Sequence, residues 1–311
     1  MSSKKLIVSS SPHFRMPTTT QQIMLDVLIA LLPAVVAGTI IFGIRALLVV
    51  AVTVASCVLS EFLFNVIVKK TQTVSDLSSA VTGVILGLNL HAAAPIWQCV
   101  IGGAFAIVVV KCLFGGIGCN FANPAATARV FLLVSFSASL GGGVIPGGSY
   151  IVTSATPLEA IEAGTELPSV LEMLIGMRAG AIGETCILAL LAGFVYLVVR
   201  GVIKFETPLI FIATVFLLSL VATNDFTYAL YQVLSGGLVL GAVFMATDYS
   251  TTPLTRTGKM IFALGCGIIT FLIRFFGTYP EGVSFAILIM NILAPYIEKW
   301  TANLPLGGKK A

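Results

Sequence analysis

Apolar runs of membrane length, separated by turns of a few residues, fill most of this chain and leave it few folds to adopt. Charged residues make up only 10% of its 311 positions and hydrophobic ones 58%, whereas a soluble domain carries roughly 25% charged residues. Lipid is therefore its main solvent. Against a hydrocarbon core of about 30 Å, the segments 23–42, 46–68, 78–90, 96–113, 120–140, 180–199, 207–222, 228–247, 260–277 and 283–300 read as helices. The expectation is an all-α integral membrane protein with about ten transmembrane helices.

The basic residues orient it, because Lys and Arg collect on cytoplasmic loops. With a cytoplasmic N-terminus, thirteen of the seventeen Lys and Arg fall on the inner side: Lys4, Lys5, Arg15, Lys69, Lys70, Lys111, Arg200, Lys204, Arg256, Lys259, Lys299, Lys309 and Lys310. Arg45 and Arg178 fall outside, and Arg129 and Arg274 lie within spans. Both termini are thus expected in the cytoplasm. Residues 1–22 are polar and lack the apolar core and small-residue cleavage site of a signal peptide. The modest net charge of +4 needs no nucleic-acid partner.

The two halves resemble each other. Leu77-Ser78-Ser79-Ala80 matches Leu234-Ser235-Gly236-Gly237, and Phe114-Gly115 before Phe121-Ala122 matches Phe276-Gly277 before Phe285-Ala286. An odd number of spans per repeat inverts the second copy, so residues 23–140 and 179–300 read as two inverted five-helix repeats. Such repeats, with short or broken helices at matching positions, place a binding site at their interface. The third helix of each half is the candidate, since 78–90 is too short to cross as a straight helix. Residues 301–311 form a cytoplasmic tail.

Between the repeats, residues 141–178 form the one long polar stretch, and long loops in compact proteins are where function concentrates. It carries Glu159, Glu162, Glu166 and Glu172 and is expected outside the cell. Within it Thr156 stands between Ala155 and Pro157, after Thr153 and Ser154. Small neighbours leave its hydroxyl open, and Pro157 biases it toward extended backbone. On chemistry alone it is either a modification acceptor or a solvated turn. The six cysteines lack a CxxC pair and read mostly as small buried residues, with a thiolate ligand at Cys112 or Cys119 as the alternative. His13 and His91 are too far apart in sequence to suggest a metal site or catalytic dyad.

Ser154-Ala155-Thr156-Pro157-Leu158 resembles the flavin-attachment motif of the D subunit of the Rnf complex and of the related B subunit of the sodium-pumping NADH:quinone reductase. Ser75-Asp76-Leu77-Ser78-Ser79-Ala80-Val81-Thr82-Gly83, Asn123-Pro124-Ala125 and Tyr279-Pro280-Glu281-Gly282-Val283-Ser284-Phe285-Ala286 match in order. Six positions before the threonine, where that family often has an acid, stands Tyr150.

The resemblance implies FMN joined to Thr156 by a phosphoester, and a second, non-covalent flavin, riboflavin. It further implies one subunit of a complex that couples electron transfer between reduced ferredoxin and NAD to Na+ or H+ transport. Its partners would be the subunits A, B, C, E and G and a flavin transferase. No G-x-G-x-x-G follows a strand here, so the NAD and ferredoxin sites are expected on those partners.

A charge inside the bilayer is costly unless paired or facing a polar cavity. Arg129 and Arg274 are therefore read either as stabilisers of flavin or phosphate charge or as ties between helices. Arg178 is read as a phosphate partner or as an anchor at the membrane surface. Asn89, Asn123 and Asn291 are read as flavin contacts or as bridges between helices, and Asp26, Glu61, Glu184, Asp248 and Glu281 as candidates for a cation route or as helix-end acids. From another class, an inverted-repeat channel or secondary transporter for a small solute, without covalent cofactor, would share the architecture.

Overall fold

The computed structural model describes residues 18–145, 153–154, 157–158, 160, 168–277 and 281–302. Helix α1 (Thr20–Phe42) starts where Thr19 and Gln22 form a capping box, the Thr19 hydroxyl accepting from Gln22 N and the Gln22 side chain from Thr19 N. Gly43 alone separates it from α2 (Ile44–Ile67). Then come α3 (Ser78–Leu88), α4 (Ile96–Cys112), α5 (Pro124–Ser135) and a short α6 (Ser137–Leu140). After the loop follow α7 (Val170–Ile175), α8 (Ile187–Val199) and α9 (Glu206–Thr223). Helices α10 (Phe226–Leu234), α11 (Leu238–Met245), α12 (Arg256–Phe276) and α13 (Val283–Thr301) complete the order.

Helices α1, α2, α9, α12 and α13 are long and apolar enough to cross a membrane, and α10–α11, bent by 61°, counts as a sixth if taken as one span. Helices α3, α4, α5 and α8 are apolar but shorter. Each expected segment contains helix, with three differences of extent. The fifth begins only at Pro124, because the Asn123 side chain accepts from Ala125 N and Ala126 N and fixes the start there. The sixth begins only at Ile187, because the chain before it is held in a turn: Ile182 N and Gly183 N donate to Leu90 O and Leu88 O. The eighth breaks at 235–237, where Gly236 and Gly237 both take left-handed backbone. Leu77 takes the same conformation before α3, at the position that the sequence matched to Leu234.

Helix α3 packs on α2 with almost no space between backbones. A Cβ on Gly83 would stand 2.6 Å from Val54 Cα, and one on Gly87 2.9 Å from Val50 Cα. Glycines four residues apart on one face permit this approach. Elsewhere α1 lies against α8, α5 against α13, and α12 against both α9 and α13. The outer faces of the long helices expose Leu, Ile, Val and Phe, such as Ile40, Leu63, Leu209 and Val221, as a lipid-facing surface requires. In the loop, Gly143–Val144 pairs antiparallel with Thr153–Ser154, and Val144 bridges to Gly180.

Candidate functional site

Among the described residues, several polar groupings interrupt this apolar body. The first lines a cavity of about 240 Å³ where many helix ends converge. Met24 and Val27 of α1, Val81 and Ile85 of α3, Leu197 of α8 and Phe244 of α11 form apolar walls. Polar groups come from Asn120, Asn123, Asp248, Tyr249, Ser250 and Thr252, with Lys204 and Lys259 also on the lining. An apolar pocket with a few convergent polar groups is the usual form of a small-molecule site.

The loop after α11 builds its polar wall. Asp248 Oδ1 accepts from Ser250 N at 3.1 Å, and Asp248 Oδ2 from Thr251 Oγ1 at 3.2 Å and Asn123 Nδ2 at 3.4 Å. With its amide turned to satisfy both atoms, Asn291 donates to Thr251 O and accepts from Asn123 N. Asn120 Oδ1 is buried without a partner among the described residues. Partial burial, with the Asp248 carboxylate nearby, pushes the Tyr249 phenol up to about 12, so it stays protonated and able to donate.

Next to this cavity lies a buried ion pair, Lys111 Nζ to Glu61 Oε1 at 2.8 Å. The ammonium also donates to Ser78 Oγ at 2.6 Å, at the start of α3, and Thr73 Oγ1 donates to Glu61 Oε1 at 2.7 Å. Lys111, counted on the inner side and within the 96–113 segment, is buried: its run of π-helical turns, Phe105–Cys112, carries it between α2 and α3. A single lysine within Val108–Leu113 was the available sequence signal.

The third grouping sits at the break between α10 and α11. Arg274 donates to the carbonyls of Gln232, Ser235, Gly236 and Glu281, so one guanidinium satisfies several acceptors exposed by the broken helix. Glu184 Oε1 accepts from Gly236 N at 2.7 Å. Arg178 Nη2 donates to Glu184 O at 2.8 Å and Arg178 Nη1 to Ser235 Oγ at 3.4 Å. Glu281 pairs with Arg129 at 2.7 Å, which ties α5 to the start of α13. Arg129, Arg178, Arg274, Glu184 and Glu281 therefore form one connected network with more cations than acids. Arg129 Nε, Arg129 Nη1 and Arg178 Nε have no partner among the described residues.

The attachment motif meets this network. Ser154 pairs within the two-stranded ribbon, Pro157 and Leu158 are buried, and Ala155 and Thr156 lie outside the described residues. A Cβ on Gly236 would stand 2.5 Å from both Leu158 Cδ1 and Arg274 Nη2. The motif end thus lies at one end of α12, at Arg274, and the cavity at the other, at Lys259. Fifteen residues of helix separate those two residues, about 22 Å at 1.5 Å per residue.

Other expectations resolve locally. Asp26 accepts from Tyr196 and Arg200 and ties α1 to α8. Asn89 donates to Ile85 O within its own helix. Cys112 is buried and Cys119 exposed, and no group of three metal-ligating side chains occurs among the described residues.

The D subunit of the Na+-translocating ferredoxin:NAD+ oxidoreductase complex from Acetobacterium woodii is 44% identical to this chain, covering 100% of it and 98% of the relative. Its counterpart in the proton-translocating ferredoxin:NAD+ oxidoreductase complex from Clostridium ljungdahlii is 37% identical, over 97% and 96% of the two chains. The D subunit of an ion-translocating oxidoreductase complex from Escherichia coli is 33% identical over 97% and 99%. The model of one family, described as NQR2, RnfD, RnfE, matches residues 7–307, which include the motif, the cavity and both ion clusters. A match of that extent, with relatives aligned along their whole length, makes this chain a member of the NQR2, RnfD, RnfE family.

Proposed function

We propose that this chain is the D subunit of an Rnf-type complex, which couples electron transfer between reduced ferredoxin and NAD to translocation of Na+ or H+. It works with subunits A, B, C, E and G in a prokaryotic cytoplasmic membrane. Its part is to carry electrons on FMN esterified to Thr156 by a flavin transferase. The observation that carries this reading is the position of the motif: the chain on both sides of residues 155–156 is held, by strand pairing at 153–154 and by burial at 157–158. A redox group fixed in place is what electron transfer requires of the protein, since the redox chemistry is the cofactor's own.

The cavity at the other end of α12 is our site for the non-covalent flavin. Its apolar walls suit an isoalloxazine ring, and the unpartnered Asn120 Oδ1 suits a ring N–H. When bound, that flavin accepts and passes electrons. Asn123 and Asp248 would orient it, and the Tyr249 hydroxyl, kept protonated, offers a hydrogen bond at the rim. Two inverted five-helix repeats account for the meeting of α1 with α8 and of α5 with α13, each helix with its counterpart in the other half. In this arrangement both termini are cytoplasmic and the motif faces outward.

The test is the chain's own fluorescence. Matured with the flavin transferase and run on a denaturing gel under ultraviolet light, it gives a fluorescent band near 32.6 kDa that Thr156→Ala abolishes. A dark band from the matured wild type refutes the reading in favour of a cofactor-free transporter.

A further inference from the structure

Gly236 and Gly237 form the break between α10 and α11, and both take left-handed backbone, with φ of +67° and +64°. Only one of them faces a neighbour. The space where a side chain at Gly236 would begin is filled by Leu158 and Arg274, each 2.5 Å away, while nothing lies within 4 Å of the same position at Gly237. The two occupants are therefore within 5 Å of each other. Leu158 is 3% exposed, although it belongs to a polar loop. The backbone of the break is held by Glu184, which takes Gly236 N, and by Arg274, which takes the carbonyls of Ser235 and Gly236.

We propose that Gly236 is the seat of the attachment motif: its missing side chain admits Leu158 as a peg, which fixes the Leu158 end of the motif against the Arg274 end of the buried ion network. The inference rests on Thr156 as the flavin carrier and adds the residue that fixes where that flavin sits. Gly236 lies far from the motif in sequence, so its replacement leaves unchanged the residues that a flavin transferase reads. It acts through Leu158 and is a positioning residue.

The whole complex, expressed with its flavin transferase, is compared as wild type, Gly236→Ala, Gly237→Ala and the double variant Gly236→Ala with Leu158→Val. Both alanine variants carry left-handed backbone strain, so their difference reports the collisions at Gly236, and the double variant separates the one with Leu158 from the one with Arg274. Two readouts are followed: cleavage of the folded complex by a glutamate-specific protease at Glu159 and Glu162, and the fluorescent band per unit of chain. Gly236→Ala is expected to be cleaved at least tenfold faster than Gly237→Ala and to lose half or more of its band. Leu158→Val removes the colliding methyl and leaves only the contact with the movable end of Arg274, so it is expected to restore at least half of the loss in both readouts. Equal cleavage of the two alanine variants overturns the proposal. If Gly236→Ala alone fails to assemble, restored assembly in the double variant supports the seat, and continued failure overturns it. A wild type without a fluorescent band removes the flavin reading, while the cleavage comparison still decides the seat.

Discussion

At the scale of single residues, the buried charges do the most to define this molecule. Lys111 and Glu61 are both almost fully buried, and removing one partner of such a pair typically costs about 3–5 kcal/mol while replacing both is often near neutral. Lys111→Met is accordingly expected to lower the melting temperature of the purified complex sharply, and Lys111→Met with Glu61→Gln to recover most of the loss. A double variant no more stable than Lys111→Met would mean that the pair is not the source of the effect.

A milder electrostatic effect caps α7. Ser169 donates to the Glu172 carboxylate through both its backbone and its hydroxyl, and holds that acid below its usual 4.5. A depressed folded value means that the contribution is complete above the ordinary value and is lost as pH falls through the lower one. Amide exchange in α7, taken relative to the intrinsic rate at each pH, should therefore quicken below pH 4.5 in the wild type. In Glu172→Gln it should be faster already at neutral pH and lack that acid-induced step. The sequence showed which charges sat among apolar residues, Arg129 and Arg274 among them. It did not show their partners, because Arg129 meets Glu281 across 152 residues and Arg274 meets Ser235 across 39.

At the scale of elements, apolar runs located the helices well, and glycines and caps set their true ends. Two boundaries moved because side-chain and backbone bonds outweighed hydrophobicity. Asn123 starts α5 late, and the turn anchored on Leu88 and Leu90 starts α8 late. The spacing of Gly83 and Gly87 was visible in the sequence, but the close approach to α2 that it serves depends on which face turns inward. Gly83→Val would force a side chain against the Val54 backbone. Overpacking of this kind costs about 1–3 kcal/mol, so the variant should melt several degrees lower. Gly116→Val, in open space on the α4–α5 turn, incurs backbone strain without a collision and should melt above it. Equal melting of the two would show that α2 and α3 yield to the insertion.

For the whole molecule, composition and charge asymmetry were enough to separate two ends, and the structure gives each end its own content. Lys204, Lys259 and the cavity share one end, and Arg178, Arg274 and Leu158 share the other. On the proposed orientation, a cysteine introduced at Gly164 should react with a membrane-impermeant maleimide in intact cells. A cysteine at Lys204 should react only in inverted vesicles. The opposite pattern would reverse the assignment of sides. The identity of the ion was not legible: the relatives named for Na+ and for protons align over nearly the same length.

The length of α12 between Lys259 and Arg274, about 22 Å, has an electrical meaning. It is most of the roughly 30 Å hydrocarbon core. On the proposed cofactors and orientation, an electron passing from a flavin at the Arg274 end to one in the cavity would move inward through most of the transmembrane field. A complete crossing is worth about 2.3 kcal/mol for each 100 mV. With the cell interior negative, that inward step is uphill, so the rate of the redox reaction itself should slow as membrane voltage builds and recover when an ionophore collapses it.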